Sequence, residues 1–160
     1  MITSCTKRFD NFPFAHRQPL HVGHCRLIHG HNWSFEFEFI ANRLDDNGFV
    51  IDFGDLGWIK HWLNQQFDHT LVLNLNDPEL ERLRDFLLGM AYREPVMLAR
   101  IVTVPNCGAE GLAAYVLDFV NAVITERTKK RVYVSRVTVF EDDRNSATIC
   151  KNIAGDWPTP

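Results

Sequence analysis

The stretch HCRLIHGH, from His24 to His31, brings three histidines and a cysteine into eight residues. Two of these histidines, His29 and His31, are separated by one glycine. Residues two apart on a β-strand point to the same face, so both imidazoles can reach one cation. The chemistry indicated is metal binding, with the thiol of Cys25 close by in the sequence.

A third histidine, His16, continues an aromatic face in which Phe12 and Phe14 precede it at a period of two. If this strand lies beside the one that carries His29 and His31, His16 supplies a third nitrogen. Three histidines on a tetrahedral zinc leave one position open, which is the catalytic arrangement. Two other interpretations stay open, a histidine pair without a metal and a structural zinc protein.

The surrounding sequence predicts strands at both ends of the chain and helices between them. Hydrophobic alternation and a DDNG turn predict strands over 10–17, 29–39, 49–52, 132–141 and 147–150. Apolar stripes predict helices over about 56–67, 80–90 and 109–125, the first capped by Asp52 or Asp55. The type of segment 96–104 is left open. This order indicates an α+β protein with an antiparallel sheet.

Composition and charge narrow the class of protein. The 160 residues suit one domain, and 46% hydrophobic with 23% charged residues is typical of a soluble globular protein. A net charge of −3 argues against a protein that coats nucleic acid or an anionic membrane. We find neither a signal-peptide pattern nor an apolar run of the roughly 20 residues that span a bilayer. We therefore expect a single domain, 1–160, in the cytoplasm, with its cysteines reduced.

Several segments, in the same order along the chain, resemble motifs of the 6-pyruvoyltetrahydropterin synthase family, whose bacterial branch includes 6-carboxytetrahydropterin synthase. Residues 12–17 (FPFAHR) resemble its FxxAHR motif, and residues 25–31 (CRLIHGH) resemble its CxxxHGH motif. Residues 47–53 (NGFVIDF) and 67–71 (FDHTL) resemble two further segments. Glu110 and Glu141 fall where the family has a helix-opening and a pterin-binding glutamate.

This resemblance implies the T-fold, an α+β architecture with an antiparallel four-stranded sheet and two main helices on one face. In this chain an inserted helix is expected within an insertion at about 79–104. The resemblance also implies a homo-oligomer, either a hexamer built as a dimer of trimers or a tetramer, with active sites at subunit boundaries. The insertion is expected to be a tolerated surface addition, with an effect on assembly left open.

The function implied is that of a zinc-dependent carbon–oxygen lyase acting on 7,8-dihydroneopterin triphosphate. The expected product is 6-carboxy-5,6,7,8-tetrahydropterin, on the route to queuosine. Two alternatives remain open. One is formation of 6-pyruvoyltetrahydropterin, on the route to tetrahydrobiopterin, and the other is a paralogue that binds a pterin without turnover.

The resemblance also implies residue roles. Zinc is expected on His16, His29 and His31, and a proton relay on Cys25, Asp68 and His69. Substrate binding is expected from two carboxylates, Glu141 and Glu110. The carboxylate of Glu141 can accept two hydrogen bonds from a pterin ring, whereas Glu110 also suits the first turn of a helix. One departure stands out, because Cys107-Gly108-Ala109 replaces the hydroxyl residues that precede this glutamate in the family.

Overall fold

A six-stranded sheet with the order β4-β3-β1-β2-β5-β6 forms the centre of the molecule. The computed structural model describes residues 1–89 and 97–151. Its strands are β1 Thr3–His16, β2 His29–Ala41, β3 Thr70–Asn74, β4 Arg100–Val104, β5 Val132–Phe140 and β6 Ser146–Cys150. Its α-helices are α1 Gly57–Phe67, α2 Leu80–Leu87 and α3 Ala109–Arg127. None of the helices in these described ranges is long and apolar enough to cross a membrane.

The two long strands β1 and β2 pair antiparallel and set the position of the histidines. In β2, Phe35, Phe37 and Phe39 are fully buried, while the glutamates between them stay partly exposed. The same alternation in β1 buries Phe12 and Phe14. The pairing register places the last residues of β1 directly opposite the first residues of β2. The aromatic core therefore leads directly to the histidine-bearing ends of both strands.

Two helices, α1 and α3, cover the aromatic face of the sheet. A short 3-10 turn at Phe53–Leu56 precedes α1, and the carboxylate of Asp52 caps this turn by accepting a hydrogen bond from the Gly54 amide. Ile59 and Leu63 of α1 join the core cluster that the sheet begins. The helices predicted over 56–67 and 109–125 are therefore confirmed, whereas the cap predicted at Asp52 or Asp55 is wrong for α1, since its N-cap is Leu56 without a side-chain hydrogen bond and Asp52 caps only the preceding turn.

The sheet differs from the four antiparallel strands expected. Strands β3 and β4 extend it, and both run parallel to β1. Leu71 and Leu73 on β3 pack with Leu80 of α2 in a separate cluster, whereas Val72 belongs to the main core. Helix α2 therefore covers the sheet face opposite α1 and α3. Helix α2 and strand β4 lie in the region of the expected insertion, about 79–104, and Met90, expected in its helix, lies outside the described residues.

The strand expected over 49–52 is wrong. The chain here forms a turn and bends, in which the Asp45 carboxylate accepts hydrogen bonds from the amides of Asn47 and Phe49. The backbone amide of Asp45 in turn donates to the carbonyl of Phe49. These bonds close the DDNG turn on itself, so the returning residues do not form a ladder with β2. Segment 100–104, whose type the sequence left open, is strand β4.

Candidate metal centre and its cavity

Three imidazole rings converge where β1 ends and β2 begins. The ring centroids of His16 and His29 lie 4.6 Å apart, those of His29 and His31 lie 5.1 Å apart, and those of His16 and His31 lie 5.6 Å apart. Residue His16 is opposite His29 in the strand register, and His31 is two residues along the same face. The period of two that the sequence showed therefore brings all three rings together.

A carboxylate joins the three histidines. Glu141 directly follows β5, which pairs with β2, and its Oε1 lies 3.2 Å from His16 Nε2 and 3.5 Å from His31 Nε2. One ligand atom from each of these four residues lies within 4.8 Å of the others. From the sequence Glu141 was expected to bind the substrate, and no sequence pattern indicated its proximity to the histidines.

The hydrogen bonds of the ring Nδ1 atoms determine how two of the histidines face the group. His16 Nδ1 lies 2.9 Å from the carbonyl oxygen of Cys107, and His29 Nδ1 lies 2.8 Å from that of Leu27. A carbonyl oxygen only accepts, so each Nδ1 carries the proton and donates it. Burial lowers the pKa of His16, which favours the neutral ring. The Nε2 atoms of these rings are then available as ligands.

The electrostatics of the group suit a cation. The Nε2 atoms of His16 and His31 are buried without a hydrogen-bond partner among the described residues. A neutral His16 presents a lone pair at Nε2, and the ionised Glu141 carboxylate is also only an acceptor, so the two atoms repel each other. A divalent cation between them removes this repulsion and satisfies the buried nitrogens. Imidazole and carboxylate ligands suit zinc among the metals that such a set can bind.

A short loop before α3 holds the His16 ring in place. The Cys107 amide donates to Asn74 Oδ1 at 2.6 Å, and its thiol donates to the Arg17 carbonyl at 3.0 Å. The side chain of Gln18 links Asn74 to Asn106 at 3.2 Å on each side. The Cys107 carbonyl, which accepts the hydrogen bond of His16, is therefore held by Asn74 of β3 and by Arg17 at the end of β1. None of these contacts follows from a sequence motif.

The group formed by His16, His29, His31 and Glu141 borders a cavity of about 490 Å³. Its lining includes Cys25, Glu110, Glu141 and Arg144, together with two of the three histidines, His16 and His29. A Cβ atom at Gly108, also in the lining, would lie 2.5 Å from Gln18 Nε2. A side chain at this position would therefore displace the end of the Gln18 side chain.

Asp68 and His69 lie elsewhere. They do not line this cavity. Asp68 Oδ1 accepts from His69 Nδ1 at 2.8 Å, and the His69 side chain is 79% exposed. His69 has a left-handed backbone, with φ of 54°, and its amide donates to the Pro13 carbonyl. Within one chain the structure groups Cys25 with both glutamates and leaves the Asp68–His69 pair outside.

The protein has the T-fold. It combines a mixed sheet, helices on both faces of the sheet, and the histidine–glutamate group at the ends of β1 and β2. A family model described as 6-pyruvoyl tetrahydropterin synthase matches residues 4–152. The chain belongs to this family of pterin synthases.

Similar proteins agree with this assignment. A 6-carboxy-5,6,7,8-tetrahydropterin synthase of Rickettsia typhi is 40% identical over 77 residues, which is 48% of this chain and 55% of that protein. The chain thus spans about half the length of the curated relatives it matches. An uncharacterised protein of Wolinella succinogenes shares the fold with a TM-score of 0.79 and 22% identity, over 95% of this chain and 99% of its own. The 6-pyruvoyltetrahydropterin synthase of Plasmodium vivax does so with a TM-score of 0.65 and 20% identity, over 94% and 99%.

Proposed function

We propose that this chain is a zinc-dependent 6-carboxytetrahydropterin synthase, a carbon–oxygen lyase of queuosine biosynthesis. Its substrate would be 7,8-dihydroneopterin triphosphate, and its product 6-carboxy-5,6,7,8-tetrahydropterin. The observation that carries the proposal is the convergence of His16, His29 and His31 beside a cavity that also holds Cys25. The printed name of the Rickettsia typhi relative supports the choice of product.

The three histidines would hold the zinc through their Nε2 atoms. When bound, zinc would polarise the side-chain oxygens of the pterin and make the neighbouring C–H bonds more acidic. Cys25 lines the same cavity and would accept a proton from the substrate side chain as a thiolate. The carbonyl of Cys107 holds the His16 ring at Nδ1 while Nε2 lies beside the Glu141 carboxylate.

Two carboxylates would bind the pterin ring. Glu141 can accept two parallel hydrogen bonds from an exocyclic amino group and the adjacent ring N–H. Glu110 lies in the first turn of α3 and lines the same cavity, which makes it a second contact. Because Gly108 and Ala109 lack hydroxyl groups, this part of the pocket would offer its backbone to the substrate.

Asp68 and His69 would act on the cavity of an adjacent subunit. The Asp68 carboxylate holds His69 Nδ1–H, which leaves Nε2 on an exposed ring free to exchange a proton. The left-handed φ of His69 is uncommon for a residue other than glycine and is often found where function requires it. The proposal therefore includes a homo-oligomer in which this pair completes a neighbour's site.

Product analysis tests the proposal. The zinc-loaded protein is incubated with 7,8-dihydroneopterin triphosphate, and the products are identified by mass spectrometry. A carboxylated tetrahydropterin together with acetaldehyde is expected, and Cys25→Ala should abolish both while zinc stays bound. A pyruvoyl product would replace this assignment with 6-pyruvoyltetrahydropterin synthase. Tight pterin binding without turnover would identify a binding protein.

A further inference from the structure

The Glu141 carboxylate has two competing partners. In the proposed function the carboxylate binds the pterin ring. In the structure it lies beside the Nε2 atoms of His16 and His31, which would bind the metal. Among the described residues it forms an ion pair with neither lysine nor arginine. One carboxylate oxygen cannot bind the metal and the far end of a pterin simultaneously, so the two roles must alternate.

The distances are those of a ligand. With bonds of about 2.0–2.2 Å, two ligands of a tetrahedral zinc lie about 3.3–3.5 Å apart. Glu141 Oε1 lies 3.2 Å from His16 Nε2 and 3.5 Å from His31 Nε2, close to this edge length. The whole group lies within 4.8 Å, so ordinary side-chain rotations bring all four atoms into one coordination sphere.

We propose that Glu141 is the fourth metal ligand of the substrate-free protein and leaves the metal when a pterin binds. The second half of this inference rests on the proposed function. In the resting state the four protein ligands close the site, as in structural zinc centres. The Glu141 side chain is 26% exposed and lines the cavity, so it can turn towards an incoming ring. The open coordination position is thus created by the substrate that uses it.

This exchange predicts a coupling between metal and pterin whose sign depends on the pterin side chain. A pterin without a side chain removes the Glu141 ligand from the metal and supplies no ligand in its place, so zinc should weaken the binding of this pterin. Neopterin carries hydroxyl groups that can replace the carboxylate on the metal, so zinc should strengthen its binding. By linkage, each pterin must change the affinity of the protein for zinc by the same factor by which zinc changes the affinity for that pterin.

The ligand role is tested by zinc affinity without pterin, measured by competition with a chromophoric chelator. Glu141→Gln should weaken zinc binding by about 10-fold or more, at least as much as the loss of an outer hydrogen-bond partner of a metal site. Glu110→Gln is the matched control, because it removes one negative charge from the same cavity and should change affinity less than about twofold. Equal effects of the two variants would overturn the ligand role.

Thermal unfolding of the metal-free variants checks that Glu141→Gln is folded. If it is not, Glu141→Asp is used, because it keeps the charge but withdraws the oxygen by one methylene. Wild-type zinc affinity in Glu141→Asp would contradict direct ligation.

The exchange is tested by calorimetric titration of unsubstituted pterin and of neopterin into zinc-loaded and zinc-free wild-type protein. We expect zinc to weaken pterin binding by about fivefold or more and to strengthen neopterin binding by a similar factor. Unchanged affinity of unsubstituted pterin would overturn the exchange. Failure of the proposed function would give a different result. No product would then form from dihydroneopterin triphosphate, even if zinc affinity depended on Glu141.

Discussion

The backbone carbonyl of Cys107 is the group that fixes the orientation of His16, and it is fixed in turn by the side chain of Asn74. Because its Nδ1 proton is held in this way, the buried His16 ring presents Nε2 towards Glu141. Outer hydrogen bonds of this kind commonly decide metal affinity as much as the ligands do. We therefore expect the metal affinity of the site to depend on Asn74, which lies on the neighbouring strand β3.

Asn74→Ala should weaken zinc binding by about 10-fold, since it frees the Cys107 amide and allows the carbonyl to move. The lost hydrogen bonds should also lower the free energy of unfolding by about 1–3 kcal/mol. Chelator competition and urea denaturation measure the two effects. Asn76→Ala, at an exposed position two residues on, serves as control, and equal zinc affinities in both variants would contradict the positioning role.

The buried thiol of Cys107 predicts an alkaline loss of stability. Burial raises the pKa of Cys107 in the folded protein. Above about pH 9 the unfolded thiol ionises while the folded one stays protonated, so the unfolded state binds fewer protons and the free energy of unfolding falls. Urea denaturation from pH 8 to 10 should show a shallower fall in Cys107→Ser. The exposed Cys150 gives the comparison, since Cys150→Ser should retain the wild-type slope.

Residue spacing alone predicts the candidate site only where periodicity governs it, whereas Cys25 and Glu110, which line the cavity, were expected from the family resemblance. His29 and His31 follow from alternation along one strand, and His16 from the aromatic face that precedes it. The contact of Glu141 with these rings depends on how β5 pairs with β2, and this pairing contains a register shift next to Glu38. Such a shift leaves no trace in one sequence, so the proximity could not be deduced.

The β3-α2-β4 unit is the element that most distinguishes this sheet from the one expected. Both strands are short and mostly apolar, a pattern that a buried parallel strand shares with a buried helix segment. An ion pair between Arg17, which follows β1, and Asp77 supplements the pairing of β1 with β3, and the side chain of Asp77 is fully buried. Arg17 Nη2 donates to Asp77 Oδ1 at 3.2 Å, and Arg17 Nε lies 2.9 Å from Oδ2 without straight hydrogen-bond geometry.

Asp77→Ala should lower the free energy of unfolding by about 3 kcal/mol, because it leaves a mostly buried guanidinium without its partner. The Arg17 side chain is 18% exposed, which places the loss at the lower end of the range for such pairs. Urea denaturation measures this change. The surface pair of Arg82 and Glu79 offers the control, since Arg82→Ala should cost less than about 1 kcal/mol. Similar losses in both variants would show that the Arg17–Asp77 pair is not what anchors the unit.

The prediction succeeded for elements with a regular buried face and failed in part elsewhere: strand β1 begins at Thr3 rather than at residue 10, whereas the short strand β6 lies within one residue of its predicted bounds. The periodic faces of β2 and α3 extend over many residues and gave their positions within a few residues of the observed ends. The strand expected over 49–52 failed because Asp45 uses its carboxylate and its amide to close the preceding turn. Local side-chain hydrogen bonds of this kind compete with strand pairing, and alternation alone does not reveal which one prevails.

At the scale of the whole molecule, the separation of the Asp68–His69 pair from the cavity is the main structural reason to expect shared sites. The pair lies at the start of β3, held there by the Pro13 carbonyl and by Arg100, which donates to the carbonyl of Asp68. An exposed imidazole that a carboxylate already orients is available to a neighbouring subunit, as the proposed function requires. The activity would then belong to the assembly rather than to one subunit.

Subunit mixing tests this arrangement. Cys25→Ala and His69→Ala should each be inactive, whereas oligomers refolded from an equal mixture should regain roughly a quarter of wild-type activity, because one interface in four joins two intact halves. Activity is measured as product formed from dihydroneopterin triphosphate. A mixture of either variant with the double variant is the control and should stay inactive. No recovery in the first mixture would place both residues in the site of one chain.

The aromatic face beneath the histidines has a practical consequence. The fully buried indole of Trp33 lies with its ring centroid 5.0 Å from that of His16 and 5.7 Å from that of His31. A paramagnetic ion such as Co²⁺ or Cu²⁺ bound by those rings would be close enough to quench the emission of this tryptophan. The protein thus carries an intrinsic fluorophore directly under its ligands, and occupancy of the centre can be followed by fluorescence without any added dye.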